Sequence, residues 1–552
     1  MSRLWQTTNK IFSRSNSLLS TKHRIPLSIS HLSKGPSRGQ FISTTVTPKI
    51  QKNLNQRENA AQIQKVSPEN DVPSNGSETE GEITILGAKY KTDEWTNINK
   101  AILDKVGRNL LNTPTHPTRI LKDIIFSQFP TYAHYDSIPS PVTTYANFDS
   151  LYIPKDHPGR AKTDNYYINK DNLLRAHTSA HQVQLMKAGI NKEVSLLNLN
   201  KNEFLKEKQK TSNDYVNINR RFLVAADVFR RDEIDSSHYP AFHQLEGVVT
   251  LSQDNLEQEI ATEKSIRESA QQQLLLKLGS KSNLQVETHD DTLVSSANPY
   301  QDCHDPKQVD MIANDMKETM NSMVATILSQ AIKVEDNDPN SPAAGKPNVL
   351  PVRWIEAYFP FTSPSWEMEV WWNGEWLEIC GCGVMKQGLL KNAGLENQIG
   401  WAFGFGLDRL AMILFGVPDI RLFWSNDKRF LNQFTPGKIT TFTPFSKYPP
   451  CHKDVSFWVN NKIDGKDTEN STESIDFHEN DLMDLVRELA GDLVQDVTLI
   501  DKYTNKKTNK TSLCYRINYC SMDRNVTNLE INEIQESVRK ELLTPCMEIF
   551  DP

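Results

Sequence analysis

The segment FLVAADVFRRDEIDSSHYPAFHQLEGVVT (222–250) constrains the fold more than any other part of the chain. Its two ends have the apolar and β-branched composition of strands, and a polar loop joins them. Arg, Asp, His, Gln and Glu side chains nevertheless interrupt the strands where apolar residues are expected. Strands that are buried or half-buried carry such residues only when something pairs with them. The sequence therefore predicts two paired strands that present polar groups to a ligand.

The polar residues of this segment suit ATP, although the chain has neither a GxxxxGK[ST] loop nor a strand-borne GxGxxG. Arg230 offers a planar fork to an α-phosphate, and Asp232 offers an acceptor to the adenine amino group. His238 is suited to phosphate oxygens, and Phe242 to stacking on the purine.

A glycine-rich strand enters a helix at GWAFGFGLDRLAMILFG (400–416). Arg409, at the start of that helix, is placed to cover the other adenine face or to hold the γ-phosphate. Taken alone, an arginine-rich hairpin or a single glycine-rich strand is usually structural. Their combination and order are more specific than either segment.

In this order the two segments resemble motifs 2 and 3 of class II aminoacyl-tRNA synthetases. Four further strings resemble the single-chain mitochondrial phenylalanyl-tRNA synthetases within that class: LLRAHTSAHQV (173–183), FHQLEG (242–247), YFPFTSPSWEMEV (358–370) and LEICGCGVM (377–385). The resemblance runs from about residue 83 to 434 and continues into 446–552, which looks like a ferredoxin-fold anticodon-binding domain. It implies an α+β fold with an antiparallel sheet flanked by helices.

A pocket for a phenyl ring is expected around YFPFT. The side chains of Phe359 and Phe361 are predicted on one strand face by the period of two, with their rings along one wall of the pocket. Gly381, Gly383 and Ala402 would leave ring-sized room. The spacing alone does not distinguish this pocket from two core aromatics, but Pro360 favours an edge or pocket strand over a central one.

The polar ends of the amino acid are assigned from the resemblance. It implies that five residues anchor the ammonium and carboxylate groups: His177, Ser179, Gln182, Gln244 and Glu246. His177 is interpreted as a polar positioning residue and not as a catalytic base. Glu246 and Glu378 are further expected to help place Mg²⁺.

The first 57 residues contain ten Lys or Arg, no Asp or Glu, and many Ser and Thr. This composition is typical of a mitochondrial transit peptide, and predicts a location in the mitochondrial matrix. A basic disordered arm is the alternative. Without these ten positive charges the formal net charge moves from −7 to −17, so nucleic acid must be bound by local basic patches. No apolar run is long enough to span a bilayer.

The rest of the chain divides by composition. Residues 58–82 are predicted to be a disordered tether, 83–434 the catalytic domain, 435–450 a proline-rich linker and 451–552 the anticodon-binding domain. Segments 252–305 and 334–348 are interpreted as surface insertions. Met316, Met320, Met323 and Ile327 are predicted to form a core stripe on a helix. The pattern after residue 451 is β-α-β-β-α with a final strand near 546–550, the ferredoxin-like order.

One loop of this last domain gathers four lysines: Lys502, Lys506, Lys507 and Lys510. It is a candidate contact for a tRNA phosphate backbone. A solvated lysine-rich hairpin explains the same residues equally well.

The resemblance implies a monomeric phenylalanine–tRNA ligase with ATP and Mg²⁺. Phenylalanine would be activated to phenylalanyl-adenylate and then transferred to tRNA(Phe), with Arg230 and Arg409 as the catalytic residues. Two alternatives remain open: a catalytically silent RNA-binding paralogue, and a ligase of similar fold for another amino acid. Arg230, Glu246 and Arg409 argue against the first, and Phe359, Phe361 and Ala402 against the second.

Overall fold

The architecture is that of a computed structural model. It describes residues 81–191, 220–279, 284–292, 295–330, 349–372, 374–444, 450–460, 477–508, 510–522, 524–542 and 548–549. The predicted transit peptide (1–57), nearly all of the predicted tether and the segment 334–348 lie outside the described residues.

The strands are numbered in chain order. They are β1 (Glu82–Ile85), β2 (Ala88–Lys91), β3 (Ala133–Tyr135), β4 (Pro141–Thr143), β5 (Tyr167–Asn169), β6 (Asn172–Leu174), β7 (Arg221–Phe229), β8 (Ala241–Ser252), β9 (Gln285–His289), β10 (Val349–Glu356), β11 (Thr362–Trp372), β12 (Glu375–Met385), β13 (Gln398–Gly406), β14 (Cys451–Asn460), β15 (Val494–Thr504), β16 (Lys510–Tyr519) and β17 (Glu548–Ile549).

The α-helices flank these strands. They are α1 (Lys100–Leu103), α2 (Pro117–Phe126), α3 (Thr144–Asn147), α4 (Gln182–Asn191), α5 (Leu256–Leu278), α6 (Pro306–Leu328), α7 (Gln387–Asn392), α8 (Leu407–Phe415), α9 (Lys428–Leu431), α10 (Glu479–Ala490) and α11 (Asn528–Leu542). Short 3-10 turns lie between them, among them Thr178–His181 and Ile420–Trp424. None of the helices in the described ranges is long and apolar enough to cross a membrane.

Within the described residues, eight strands form the main sheet in the order β3-β7-β8-β13-β12-β11-β10-β9. The six central strands are antiparallel, but both edge strands pair in parallel: β3 with β7, and β9 with β10. The sheet is therefore mixed at its edges, while its antiparallel centre flanked by helices confirms the predicted fold class. The edge strands are short, so the sequence pattern carries little information about their direction.

One face of the sheet is covered by α6, whose methionine stripe is confirmed as core. Met316, Met320, Met323 and Ile327 are completely buried there. Cys380 and Cys382 of β12 belong to the same core cluster. The opposite face of β8, β13 and β12 therefore remains for the polar groups.

Segment 252–305 is not a surface insertion, in contrast to the prediction. Its helix α5 buries Leu256 and Leu274 in the main core, and its strand β9 forms one edge of the sheet. The buried face of α5 also contains charged residues that are paired: Glu263 accepts from Arg221 at 2.7 Å. A face buried through paired polar residues has no apolar periodicity by which a sequence could reveal it.

Ile98, Ile102, Val106 and Leu110 recur at helical spacing, which predicts a helix, but the helix there is confined to the single turn of α1. Gly107 and Asn109 take the left-handed conformation, with φ of 78° and 52°, and so end any helix between these residues. Ile98 and Leu110 are nevertheless buried in the main core. The apolar spacing thus predicted burial correctly and helix length incorrectly.

In the described part of the C-terminal segment, a four-stranded sheet has the order β15-β16-β14-β17, with α10 and α11 packed against it. The chain order β-α-β-β-α-β confirms the ferredoxin-like plan. The preceding stretch 435–450 is only partly a linker. Phe442 is buried in the core of the catalytic domain, with its ring 5.6 Å from that of Phe430.

Candidate active site

A buried polar cluster joins the 3-10 turn Thr178–His181 to strand β8. The hydroxyls of Thr178 and Ser179 donate to Oε2 of Glu246, the former at 3.1 Å. The amide of Gln182 donates to Oε1 of Glu246 at 2.6 Å. The structure thus brings together Ser179, Gln182 and Glu246 of the predicted amino-acid site, and adds Thr178.

Glu246 lies on the free face of the sheet, where alternation along β8 also places Phe242 and Gln244. Burial raises the pKa of Glu246 to about 7, although the hydrogen bonds from Ser179, Gln182 and Thr178 oppose that shift. Its carboxyl group is therefore poised to change charge near neutral pH.

Several polar atoms around this cluster lack partners. In the part of the chain that the structure describes, neither ring nitrogen of His177 has a hydrogen-bond partner, nor has Oε1 of Gln182. Gln244 accepts from the backbone amide of Thr178 at 3.3 Å. Buried polar atoms without partners are rare and mark places where a ligand would complete the bonding.

His177 is held in its neutral form. Burial, and then the positive charge of Arg230, lower the pKa of His177 to about 3. A histidine with this pKa neither carries a charge at neutral pH nor accepts a proton readily. The interpretation of His177 as a positioning residue agrees with this environment.

Phe359 and Phe361 lie together, but not on a strand as predicted. They occupy the turn between β10 and β11, with ring centroids 6.0 Å apart and ring planes inclined by 24°. Pro360, between the two rings, provides no N–H for a strand ladder, which agrees with β11 beginning only at Thr362. The two half-buried rings still form one aromatic surface.

The three small residues of the predicted ring pocket have different surroundings. A Cβ on Gly381 would stand 2.5 Å from the Phe359 ring, so the missing side chain makes room for that phenyl group. A Cβ on Gly383 would collide with Thr362 and with the carbonyl of Pro364. Gly383 therefore accommodates strand β11, and its role beside a substrate ring stays a prediction. Ala402 is buried in the cluster that Phe361 contacts.

The loop between β7 and β8 carries the residues predicted to bind ATP, and residues 230–240 are called the ATP loop. The guanidinium carbon of Arg230 lies 5.3 Å from the centre of the Phe242 ring. Nε of Arg230 donates to the carbonyl of Ala176 at 2.7 Å, next to His177. Arg230 thereby connects the ATP loop to the amino-acid cluster.

His238 lies near the end of the ATP loop that leads into β8. Its Nδ1 is 2.7 Å from a carboxylate oxygen of Asp235. Burial lowers the pKa of His238, but the bond to Asp235 and the charges of Asp232 and Asp235 outweigh burial and raise it overall. His238 thus favours the protonated form, which suits an anionic ligand.

Arg409 is exposed in the first turn of α8. The buried residue before it, Asp408, contacts Nδ1 of His243 at 3.1 Å and also accepts from the backbone amide of His243. His243 stacks on Trp424, with ring centroids 5.1 Å apart. This buried contact fixes the start of α8 against β8, and hence the position of Arg409.

Carboxylates from β11 and β12 share the free face of the sheet. Glu369 is paired with Glu378 in register, and Glu367 with Gly381. Burial, and then the charges of Glu378 and Glu369, raise the pKa of Glu367 to about 7. Burial also raises the pKa of Glu378, while the charge of Arg409 acts against it. Glu369 forms an ion pair with Arg353, which leaves Glu367 and Glu378 as the carboxylates of this surface suited to a hard cation.

Glu246 does not belong to that acidic surface. It lies two strands away from β12, since Glu246 pairs with Gly404 and Gly404 with Gly381. Both of its oxygens already accept hydrogen bonds from Thr178, Ser179 and Gln182. The prediction of Glu246 as a metal ligand is therefore not supported.

A buried ion pair that was not predicted from the sequence supports the amino-acid cluster. Arg175 pairs with Asp227 of β7, and also donates to the carbonyls of Pro139 and Ile138. It precedes His177 by two residues and so fixes the direction of that segment. An aspartate within the apolar strand FLVAADVF was a visible signal for such a partner.

The predicted RNA-contacting lysines lie on the hairpin formed by β15 and β16. Lys502, Lys506 and Lys507 are exposed, and Lys510 begins β16. Tyr503, between them in sequence, is 58% exposed with its ring 6.2 Å from that of Trp458. The geometry fits a phosphate backbone beside an aromatic surface.

Family models match both parts of the chain. The tRNA synthetases class II core domain (F) matches residues 103–283 and 343–434, and the ferredoxin-fold anticodon binding domain matches 446–546. The mitochondrial phenylalanine–tRNA ligase of Saccharomyces cerevisiae is 43% identical over 473 residues, covering 84% of this chain and 93% of the relative. That of Mus musculus is 40% identical over 471 residues (83% and 86%), and that of Dictyostelium discoideum 39% over 484 residues (81% and 87%). The chain therefore belongs to the family of mitochondrial phenylalanine–tRNA ligases, in class II of the aminoacyl-tRNA synthetases.

Proposed function

We propose that this chain activates phenylalanine with ATP and attaches it to tRNA(Phe) in the mitochondrial matrix. One observation carries the proposal: three groups converge on the same region of the main sheet. These are the Glu246 polar cluster, the aromatic turn of Phe359 and Phe361, and Arg230 beside Phe242. Together they support an amino-acid site beside a nucleotide site, with Arg230 bonded to Ala176 between them.

The first step is adenylation. A carboxylate oxygen of phenylalanine attacks the α-phosphorus of ATP, the bond to the β-phosphate oxygen breaks, and pyrophosphate leaves with the electron pair. Arg230 neutralises charge that develops on the α-phosphate, and Arg409 holds the outer phosphates. Phe242 stacks on adenine, Asp232 accepts from its amino group, and His238 contacts phosphate oxygens. No protein nucleophile is required, because the residues act by alignment and charge.

The amino acid is held at both ends. Ionised Glu246 attracts the ammonium group, while His177, Ser179, Gln182 and Gln244 contribute neutral hydrogen-bonding groups to the polar ends. The phenyl ring lies against Phe359, Phe361 and Ala402. The apolar ring site discriminates only modestly against an added hydroxyl, about 10²-fold.

Mg²⁺ fits the acidic face of β11 and β12. Glu378 and Glu367 are the carboxylates proposed to hold it, since oxygen ligands of this kind suit a small hard cation. The ion would supply neutralisation of the phosphate charge. Glu378 also faces the positive charge of Arg409, so that cation and guanidinium would share the triphosphate.

The second step transfers the phenylalanyl group to the terminal 2′-hydroxyl of tRNA(Phe), with release of AMP. The hairpin of β15 and β16 is proposed to contact the RNA backbone through Lys502, Lys506, Lys507 and Lys510. A monomer is sufficient for this scheme, because one chain carries both the catalytic and the anticodon-binding domains.

The proposal is tested by aminoacylation. Full-length chain is mixed with ATP, Mg²⁺, labelled phenylalanine and tRNA(Phe) transcript, and label in the RNA is measured. We expect phenylalanine to be attached to intact tRNA, but not to tRNA whose 3′ end has first been oxidised with periodate. A chain that binds the RNA but charges it with no amino acid would support a silent RNA-binding paralogue and contradict the proposal.

The RNA contact is tested separately. The double variant Lys506→Ala/Lys507→Ala should raise KM for tRNA about tenfold and reduce its salt dependence, because two phosphate contacts are removed. Phenylalanine-dependent ATP–pyrophosphate exchange should remain at the wild-type rate. Equal KM values for tRNA in variant and wild type would show that the lysines are only a solvated hairpin.

A further inference from the structure

The ATP loop has two sides that contact different parts of the protein. Arg230, Asp232 and His238 are the residues that face the nucleotide in the proposed function. The backbone of the same loop is covered by the C-terminal domain, which begins more than 200 residues later in the sequence. The contacts on this covered side are extensive and specific.

Arg231, next to the catalytic Arg230, is held by helix α10. Its Nε donates to Asp484, and its terminal nitrogen contacts Asp481 at 2.8 Å. The side chains of Arg231 and Asp484 are each only 10% exposed. The other oxygen of Asp484 accepts from the hydroxyl of Tyr166 at 2.9 Å, so the carboxylate is fixed from two directions.

The next residues of the loop are held through their backbone. Arg487 of α10 donates to the carbonyls of both Asp232 and Glu233. Asn480, also on α10, donates to the carbonyl of Arg231 at 3.3 Å. These bonds fix the backbone of Asp232 without using its carboxylate, whose Oδ1 accepts from the backbone amide of Glu233 at 2.9 Å.

Ile234 inserts into the C-terminal domain itself. It is 5% exposed and belongs to the hydrophobic core of that domain. Its carbonyl accepts from the backbone amide of Val497, in β15, at 3.0 Å. At the far end of the loop, the hydroxyl of Tyr239 donates to Asp492 at 2.6 Å. The C-terminal domain thus contacts the ATP loop at both ends and in the middle.

We propose that Asp484 and Arg487 are positioning residues for the ATP loop, so that the C-terminal domain takes part in amino-acid activation. A free loop loses conformational entropy when it closes on a ligand, and contacts that fix it beforehand reduce this loss. This inference rests on the proposed function, which assigns the loop to ATP. It adds that a domain matched as anticodon-binding also holds the nucleotide site in its binding geometry.

The test is ATP–pyrophosphate exchange by the full-length chain, without tRNA, in which KM is measured separately for ATP and phenylalanine. Arg487→Met removes both bonds to the loop carbonyls and the ion pair with Asp484 at 3.4 Å. It should raise KM for ATP about tenfold, with KM for phenylalanine within twofold of wild type. Arg487→Lys retains one possible bond to the loop carbonyls, and its KM for ATP should lie between those of wild type and Arg487→Met. A variant that is only partly folded would exchange more slowly, but its KM for ATP would not rise relative to its KM for phenylalanine.

Arg516→Met is the matched control. Arg516 lies in the same domain and forms an exposed ion pair with Asp454, at 2.8 Å, away from the ATP loop. Both KM values of this variant should equal those of wild type. Melting curves for all variants establish that they are folded.

If Arg487→Met does not fold, Asn480→Ala decides the question. It removes the bond to the carbonyl of Arg231 and a second bond to the carbonyl of Thr163, and should raise KM for ATP about threefold. Folded variants with an unchanged KM for ATP would overturn the inference while leaving the proposed function intact. Absence of exchange in the wild type would instead refute the proposed function itself.

Discussion

The amino-acid end and the ATP end of the proposed site are held in place by different parts of the chain. At the amino-acid end, Glu246 is surrounded by donors that lie 64 to 68 residues away in the sequence, all within the catalytic domain. At the ATP end, the loop is held by α10, about 250 residues away, and its nucleotide-facing side chains have few partners. In the proposed function, the amino acid is therefore held by a buried cluster within one domain, whereas the nucleotide site depends on packing between two domains.

The largest effect on exchange activity is expected at Arg230, which connects the ATP loop to the amino-acid cluster. Arg230→Ala should lower kcat of phenylalanine-dependent exchange about 10²- to 10³-fold, because it removes a charged donor from the developing phosphate charge. Folding should change little, since Arg230 makes one described hydrogen bond, to Ala176. Exchange kinetics and melting temperature are measured together. An unchanged kcat would contradict the assignment of the ATP loop.

The amino-acid end should respond to pH through Glu246. Because the pKa of Glu246 is raised to about 7, the carboxyl group loses its charge as pH falls below 7, and the ammonium group loses its partner. KM for phenylalanine should therefore rise between pH 8 and pH 6, approaching tenfold per unit below the pKa. In Glu246→Gln, KM should be high and nearly independent of pH over the same range.

The stability effect of Glu246 has a defined sign. A carboxyl whose pKa is raised by folding contributes stability that is present below its ordinary pKa of about 4.5 and lost as pH rises to about 7. The melting temperature of Glu246→Gln, relative to wild type, should therefore increase between pH 5 and pH 8. A constant difference across this range would show that Glu246 does not titrate there.

A smaller effect is expected in the ring pocket. Phe361→Ala removes one of the two stacked rings and contacts with the cluster that contains Ala402. KM for phenylalanine should rise about tenfold, with KM for ATP unchanged. This is the reverse of the pattern expected for Arg487→Met. If the two variants shifted the same constant, the separation of the two ends would be incorrect.

The smallest effect is expected at His177. His177→Asn keeps a neutral polar group at this position, and should raise KM for phenylalanine no more than about fivefold. Since the pKa of His177 is lowered to about 3, the pH profile of exchange between pH 5 and 8 should be unchanged. Loss of an ionisation from that profile would make His177 a proton-transfer group after all.

Much of the amino-acid end could be predicted from the sequence because the relevant residues sit in short distinctive strings. His177, Ser179 and Gln182 were placed against Gln244 and Glu246, and the structure brings these segments together. Prediction failed where the local pattern misleads. Alternation predicts a strand for Phe359 and Phe361, but both lie in a turn around Pro360.

The ATP end was predicted less completely. Its nucleotide-facing residues were identified from their chemistry, but the contacts of Arg231 and Ile234 with the C-terminal domain were not. Hydrophobic periodicity indicates a segment's own conformation and its buried face, not which distant element packs there. For the same reason α5, whose buried face is polar and paired, was mistaken for part of an insertion.

The two ends of the site are proposed to meet in order to make phenylalanyl-adenylate. This central claim is tested most directly by ATP–pyrophosphate exchange with the purified full-length chain and each of the twenty amino acids in turn. We predict strong exchange with phenylalanine, and weak exchange with tyrosine as the next best substrate. Exchange with a different amino acid in preference to phenylalanine, or no exchange by folded protein, would contradict the claim.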